Sequence, residues 1–329
     1  MDSFVATADP PTPYAPLYLN HLGVRFEDVR WVLASHWHDD HTAGFGAQVR
    51  LCANAEVMIS EALRSEEFIA LALAKVAEPP GVISSGRHEM RAMLNELRAT
   101  QRSVQQARAD TRLFLDDSHG VIREIWALSP SNAASLSAKE SFASQLVPLA
   151  DRKRLPAPKA NETSVALLIR VGPVIALLGA DLENHPADDR GWKAVLGSSG
   201  RPRDRASFYK ISHHGADNGD HPDIWTDLLD AEVVAALTPY GAGRRPRPDA
   251  SDIARICAHT RDAYIAGPLR VKVPRSSSPV EKVRRRAIRS AVVSERPFGH
   301  VRCRQKLADG AWSVDLDGEA GRLCPVDKT

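Results

Sequence analysis

Short apolar runs and longer periodic segments alternate along the chain. The runs are bounded by glycine, proline and small polar residues, which is typical of buried strands. The longer segments carry apolar residues at spacings of three and four, which is typical of helices. Strands that alternate with helices predict an α/β protein in which sheets pack against helices. We predict a core over residues 1–240, with the basic C-terminal part, residues 241–329, packed on it or completing the same domain.

The individual elements follow from these patterns. Strands are predicted at 29–35, 113–115, 121–128, 164–171, 174–178, 208–212 and 233–237. Turn residues at 116–120 and 172–173 join two pairs of these strands into hairpins. Helices are predicted at 60–76, 86–108, 136–149 and 222–229. A further helix should begin at Asp249 or Ser251, either of which can cap it, and run through His259.

A cluster of histidines and aspartates follows the first predicted strand, in the order His36-Trp37-His38-Asp39-Asp40-His41. Imidazole nitrogens and carboxylate oxygens suit zinc and related divalent ions. His36 and His38 are two apart, so on an extended segment they face the same way. Asp40 and His41 come where the chain turns toward a helix and can point at a second ion. The alternative is a solvent-exposed polar loop, but the density of ligands favours a two-metal hydrolytic site.

These residues resemble the signature of the metallo-β-lactamase superfamily, which is H-x-H-x-D-H after a buried strand, followed by an aspartate and a histidine at later strand ends. His36, His38, Asp40 and His41 match the first motif, Asp181 matches the aspartate, and 212–215 match the histidine turn. The motifs span residues 36 to 215. The resemblance implies an αββα sandwich and two divalent metal ions bridged by Asp181, with zinc as the expected metal and manganese as the alternative. Taken alone, Asp181 could equally be a helix cap.

Three segments are similar to the hydrolase domain of ComEC-type DNA-uptake proteins, namely 161–168, 179–183 and 210–215. Ala216 stands where that branch has serine, and one extra residue separates Gly179 from Asp181. Asn161 occupies the place of the third histidine of the first metal site, as it does in the ComEC-like branch. His119 is the other candidate in that stretch, but it lies in a hairpin turn and is interpreted as a surface residue.

The chain before the histidine strand is short compared with the family. Only residues 1–28 precede the predicted strand, and Met1-Asp2-Ser3 resembles the acidic turn that ends the first strands of family members. We therefore expect the first N-terminal strands to be lacking from this chain, or a partner to complete the sheet and cover its edge.

The roles of the individual side chains are assigned by geometry and chemistry. Successive side chains of a strand alternate between faces, so only one of the two adjacent histidines faces the metals. We favour His213 as the metal ligand, with His214 binding a phosphate or a carboxylate nearby, and the reverse stays open. Asp40 or Asp181 would orient a metal-activated hydroxide and take up its proton. Lys210 or His214 would neutralise a phosphate, although Lys210 could equally be a solvated lysine at the strand end.

Charge distribution narrows the substrate class. The chain has 43 basic and 41 acidic residues, so its net charge of +2 points neither to nucleic acid nor to a membrane. Residues 270–289, however, hold eight basic residues against the single acid Glu281. Such a run can bind phosphates, or it can be an ordinary solvated helix face or a tail. Together with Arg244, Arg245 and Arg247 it favours a phosphodiester substrate, either nucleic acid or a nucleotide.

Two alternatives to this phosphodiesterase or nuclease remain. One is a hydrolase that acts at carbon, on a thioester, lactone or β-lactam. The other is a non-catalytic subunit with a degenerate metal site, which the short N-terminus and the absent third histidine would suit.

The spacing of the cysteines and the hydropathy of the chain indicate the cellular location of the protein. The cysteines at 52, 257, 303 and 324 are widely scattered, without the spacing of a zinc ribbon or a disulfide framework, so we expect reduced thiols. The first ten residues lack the features of a signal peptide, and no apolar run approaches the 18 residues of a membrane span. These observations predict a soluble cytoplasmic enzyme without a membrane segment.

Overall fold

The computed structural model describes residues 1–8, 11–74, 86–146, 160–241, 245–268, 299–308 and 310–325. These residues form a mixed α/β structure, as predicted. The strands are β1 Val5–Ala8, β2 Pro11–Pro13, β3 Trp31–Ala34, β4 Glu56–Ser60, β5 Val104–Ala107, β6 Thr111–Asp116, β7 Arg123–Ala127, β8 Leu167–Val171, β9 Val174–Leu178, β10 Ala206–Lys210, β11 Leu229–Leu237, β12 Ala263–Ile265, β13 Gly299–Gln305, β14 Trp312–Gly318 and β15 Gly321–Arg322. The helices are α1 Tyr14–His21, α2 Asp39–Thr42, α3 Phe45–Leu51, α4 Glu66–Leu73, α5 Gly86–Ala99, α6 Asn132–Leu146, α7 Gly191–Gly197, α8 Pro222–Asp227 and α9 Ala250–His259.

The strands assemble mainly into two sheets. One has three parallel strands in the order β3-β4-β5. The other has eight strands in the order β15-β12-β11-β10-β9-β8-β7-β6. Strands β6 to β9 of the larger sheet are antiparallel neighbours, whereas β9 to β12 run parallel. Two further pairs, β1-β2 and β13-β14, form small antiparallel sheets.

Three apolar clusters hold these elements together. One cluster packs α3 to α6 against the three-stranded sheet, and another packs α7 to α9 against the eight-stranded sheet. The third contains Leu33 and Met58 from the smaller sheet and Ala127 and Leu167 from the larger one, so the two sheets face each other across it. Leu167 and its neighbour Leu168 lie in different clusters. Both faces of β8 are therefore buried, which explains its continuous apolar sequence.

The predicted metal-binding residues follow the carboxyl ends of three strands. Strand β3 leads to His36, β9 leads to Asp181, and β10 leads to the two adjacent histidines. Strands β9 and β10 are parallel neighbours, so their loops leave the larger sheet at the same edge. The backbone N–H of Val165, just before β8, donates to the carbonyl of Ser35, just after β3. This bond brings the end of β3 next to the larger sheet.

Several predicted elements differ from the structure. The helix predicted at 86–108 ends at Ala99, and Val104–Ala107 instead form β5, which pairs with β4. The helix predicted at 60–76 is divided at Ser65, whose hydroxyl accepts the N–H of Phe68 and caps α4. Strand β4 itself was not predicted. Residues 147–149 of the predicted helix 136–149, and the basic run 270–289, lie outside the described residues.

The prediction that all cysteines are reduced is wrong for two of them. Cys257 and Cys324 form a disulfide, with Cα atoms 5.6 Å apart across 67 positions of sequence. Folding brings the end of α9 beside the segment after β15, which the spacing of the cysteines could not reveal. The disulfide removes one of the observations behind the predicted cytoplasmic location. Among the described residues, no helix combines the length and the apolar composition needed to cross a membrane.

Candidate metal centre

The side chains of six predicted site residues converge where β3, β9 and β10 end. They form two adjacent groups of potential ligands, His36, His38 and Asp181 in the first, and Asp40, His41 and His214 in the second. Within each group the ligand atoms lie within 4.8 Å of one another. Imidazole nitrogens and carboxylate oxygens in such sets fit zinc and other divalent ions. The donor set is therefore suitable for two neighbouring ions.

Asp181 lies between the two groups. Its Oδ1 is 3.2 Å from Nε2 of His41, and its Oδ2 is 3.6 Å from Nε2 of His214 and 4.0 Å from Nε2 of His36. The side chain is buried. Because Oδ2 lies near histidines of both groups, this carboxylate is placed where a bridging ligand would lie.

Each of the three imidazoles around Asp181 has its Nδ1 tied to a protein group. Nδ1 of His214 donates to the carbonyl of Thr238 at 3.0 Å, and Nδ1 of His41 donates to Asp2 at 2.9 Å. Nδ1 of His36 lies 2.9 Å from the Ser35 hydroxyl. That hydroxyl gives its single proton to Asp2, so His36 must be the donor in this pair. Nε2 of each ring is thereby directed at the site, as in metal-binding histidines oriented by outer groups.

Asp2 lies outside the two groups of potential ligands and connects two of their histidines. It contacts His41 directly and His36 through the Ser35 hydroxyl. Besides His41 and the Ser35 hydroxyl, its carboxylate accepts the backbone N–H of Ser35 at 2.7 Å. In the sequence, Met1-Asp2-Ser3 is recognisable only as an acidic turn, and no role was predicted for Asp2. The resemblance to the acidic turn of the family was the available signal, but the contact with His41 depends on the fold.

The adjacent histidines have the opposite placement to the one favoured from sequence. His214 belongs to the second group of ligands, whereas Nδ1 of His213 lies 3.2 Å from Oε1 of Glu183. The alternation argument fails because the two residues are not in a strand. They form a short 3-10 turn, with φ of 44° at His213 and 55° at His214. Both values lie in the left-handed region, which costs about 1–2 kcal/mol per residue and is held by the surrounding contacts.

Glycine allows the loop of Asp181 to approach the histidine turn. A Cβ atom at Gly179 would clash with the hydroxyl oxygen of Ser212. The backbone N–H of Gly179 donates to the carbonyl of Lys210, and the backbone N–H of His213 donates to the carbonyl of Ala180. These bonds join the two loops and fix the distance between Asp181 and His214.

Asn161, which the resemblance placed at the position of the third histidine, belongs to a polar group beside the site. Its Nδ2 donates to Oε1 of Glu183 at 2.6 Å and lies 3.3 Å from Nε2 of His213. Asn161 therefore orients Glu183 and His213 instead of completing the first ligand group. The side chain of His119 lies outside the described residues.

Lys210 is neither a solvated surface residue nor a direct contact of the ligand groups. Its amine donates to the carbonyl of Ile211 at 3.4 Å. Burial lowers the pKa of this amine, while the charges of Asp181 and Asp2 act in the opposite direction. The contact of Lys210 or His214 with a substrate phosphate stays a prediction. The Lys210 amine donates to a backbone carbonyl, and His214 lies in the second group of potential ligands.

The electrostatics of the site leave most of the potential ligands, but not His41, in the protonation state that metal binding requires. Burial lowers the pKa of His36 to about 3, and burial also lowers the pKa of His38. Both rings are therefore neutral at pH 7. Burial would raise the pKa of Asp40, but a hydrogen bond from His214 and the charge of His41 lower it to about 2. Burial would also lower the pKa of His41, but Asp2 and Asp181 raise it well above 6.5.

Tyr240 and Arg255 support the histidine turn, and neither was noted from sequence. The Tyr240 ring stacks on His214 with centroids 5.0 Å apart. The Arg255 guanidinium donates to the carbonyl of Gly215 at 2.7 Å and also pairs with Asp220 and Asp252. No local pattern marks either residue, since each contact joins segments distant in sequence.

No known family model matches the chain, and a search of curated proteins finds no relative.

Proposed function

We propose that the protein is a metal-dependent hydrolase of the metallo-β-lactamase type that acts on phosphodiesters. The observation that supports this proposal most directly is the convergence of three imidazole Nε2 atoms on the buried carboxylate of Asp181. The Nδ1 atom of each of these rings is hydrogen-bonded to a protein group outside the site. The site gathers imidazoles and carboxylates whose ligand atoms face one another, which is the donor set that divalent cations bind. The arrangement is therefore better explained as a binding site for two ions than as a polar loop.

The fold is compatible with this assignment. Helices cover the outer faces of two sheets that face each other, in the order helices, three-stranded sheet, eight-stranded sheet, helices. We propose that this layering is the αββα sandwich of the metallo-β-lactamase superfamily. In that fold the ligands come from the loops at one edge of the paired sheets, which is where His36, Asp181 and His214 lie.

The proposed chemistry assigns a role to each group of side chains. His36, His38 and Asp181 would hold one ion, and Asp40, His41 and His214 would hold the other. Such ions activate water at neutral pH and neutralise charge that develops on the substrate. Asp40 is half exposed and ionised, so its carboxylate can accept a hydrogen bond from an entering water. Asp2 and Ser35 keep His36 and His41 in the correct orientation.

The substrate class rests on charge. Residues 270–289 supply eight basic side chains, and Arg245 and Arg247 lie in the loop that follows strand β11. A phosphodiester, in nucleic acid or in a nucleotide, is the substrate that such charge favours. Zinc is the proposed metal and manganese the alternative.

The test compares two neighbouring aspartates. Metal content and hydrolysis of a bis-aryl phosphodiester are measured for the wild type, for Asp40→Asn and for Asp39→Asn. Asp39 is a matched control because its Oδ1 accepts the N–H of Gly86 at 2.6 Å, at the start of α5. We expect about two ions in the wild type and in Asp39→Asn. Asp40→Asn should hold about one ion and lose more than about 100-fold in activity, since even outer groups change it by about 10–100-fold.

Other outcomes decide between the alternatives. Bound metal with turnover of a lactone, thioester or β-lactam, but not of the phosphodiester, would favour the hydrolase acting at carbon. A folded wild-type protein with less than one ion and no turnover would favour the non-catalytic subunit.

A further inference from the structure

A second concave site lies between α1 and the β13-β14 hairpin, outside the metal centre. It encloses about 580 Å³, which is within the usual range of small-molecule pockets. The residues that give it its character are Tyr14, Tyr18, His300, Arg302, Asp315 and Asp317. Leu17 and Leu316 stand at its rim and are 44% and 42% exposed. The site therefore combines aromatic walls, an apolar rim and a few charged groups.

The rings are held in a definite arrangement. Tyr14 and Tyr18 lie one helical turn apart with planes within 8° of each other. The imidazole of His300 meets both edge-on, with centroids 5.9 Å from Tyr14 and 4.6 Å from Tyr18. Parallel aromatic faces on one helix are suited to stacking with another planar ring.

The charged groups differ in how far they are neutralised. Asp315 is paired with Arg302 at 3.1 Å and also with Arg304. Asp317 instead accepts the N–H of Gly318 at 3.0 Å and is exposed. An exposed carboxylate that accepts a backbone N–H can also accept a hydrogen bond from the amino group of a planar ligand.

The N-terminal segment links this site to the metal centre. Asp2 contacts His41, and the backbone N–H of Tyr14 donates to the carbonyl of Phe4 at 2.7 Å. The same N-terminal segment thus contacts both the candidate metal centre and the helix that carries Tyr14 and Tyr18.

We propose that this cavity binds a nucleobase with an exocyclic amino group, as part of the substrate of the proposed metal centre. The proposal rests on the proposed function in naming the substrate as a nucleotide or nucleic acid. The base would stack on Tyr18 and donate its amino hydrogens to Asp317.

Nucleoside binding tests the cavity independently of catalysis. Adenosine, uridine and ribose are titrated calorimetrically into the full-length protein as purified. We expect adenosine to bind with a Kd of about 0.1–1 mM, uridine to bind more weakly, and ribose not to bind. Loss of the ring in Tyr18→Leu should weaken adenosine binding about tenfold, in line with the contribution of one stacked base. Leu22→Ala, an exposed change at the end of the same helix, should bind as the wild type does.

A second variant keeps the test decisive if Tyr18→Leu folds poorly. Asp317→Asn alters an exposed carboxylate and should reduce the preference for adenosine over uridine. Equal binding of adenosine and ribose, or wild-type affinity in both variants, would overturn the proposal. Adenosine bears no phosphodiester, so the loss of phosphodiester hydrolysis and the loss of adenosine binding are separate results.

Discussion

Nδ1 of His41 lies 2.9 Å from Oδ2 of Asp2, although 39 positions of sequence separate the two residues. The contact orients the imidazole toward Asp181 and Asp40. Burial lowers the His41 pKa, but Asp2 and Asp181 together raise it well above 6.5, so the ring is charged at pH 7 when no metal is bound. A metal ion at the second group must therefore displace a proton from His41.

Proton release should accompany binding of the second ion. In wild-type protein at pH 7 we expect about one proton per ion at this group, and an affinity that rises about tenfold per pH unit below the His41 pKa. Titration calorimetry in buffers with different ionisation enthalpies measures the release. Asp2→Asn should lower the His41 pKa and reduce the release, and a wild-type heat that is independent of the buffer would refute the prediction.

The same pKa sets a stability effect in the metal-free protein. His41 has a higher pKa in the folded chain than its ordinary value of 6.5. Its contribution to stability is therefore complete below pH 6.5 and is lost as the pH rises through the folded pKa. Urea unfolding of the metal-free wild type and of Asp2→Asn across this range should show a smaller pH dependence in the variant.

The two adjacent histidines can be distinguished by matched substitutions. His214→Asn should reduce metal content from about two ions to about one, because this ring lies among the ligands of the second group. His213→Asn should retain both ions, since its ring contacts Glu183 and Asn161. Elemental analysis of the two folded variants measures this difference. Loss of an ion from His213→Asn but not from His214→Asn would mean that the ligand is His213.

Arg255 should stabilise both the fold and the histidine turn. Its guanidinium binds the carbonyl of Gly215 and the buried carboxylates of Asp220 and Asp252. Arg255→Met leaves these carboxylates with fewer partners and should lower the free energy of unfolding by about 3 kcal/mol. We also expect lower occupancy of the second ion group.

An exposed ion pair provides the control for Arg255. Arg50 pairs with Glu96 at 3.0 Å, and 66% of its side chain is exposed. Arg50→Met should cost less than about 1 kcal/mol and leave metal content unchanged. Urea unfolding and elemental analysis of both variants make the comparison, and equal effects would contradict a special role for Arg255.

The Cys257–Cys324 disulfide should be detectable in the purified protein. Alkylation after denaturation without reductant should modify only Cys52 and Cys303, and reduction should expose two more thiols. Because the bridge closes a loop of 67 positions, replacing both cysteines with serine should cost about 4 kcal/mol by the chain-entropy estimate. Four alkylated cysteines without reductant would show that the bridge is not formed.

Local sequence patterns were sufficient to predict several strands, the start of one helix and the candidate site residues at 36–41. Runs such as 29–35 and 164–178 predicted strands because burial on both faces requires continuous apolar residues. Asp249 and Ser251 were the two predicted caps of α9, and in the structure Asp249 is the cap, accepting the N–H groups of Ser251 and Asp252. The spacing within 36–41 identified potential metal ligands that are neighbours along the chain.

Tertiary structure decided what local sequence could not. The strand β5 lies in a segment with helical sequence because pairing with β4 outweighs local preference. His214 rather than His213 joins the potential metal ligands because loop contacts hold both residues in left-handed conformations. Asp2, Arg255 and the disulfide act across long sequence separations. Their partners become neighbours only when the sheets have assembled, so no periodicity or spacing along the chain records them.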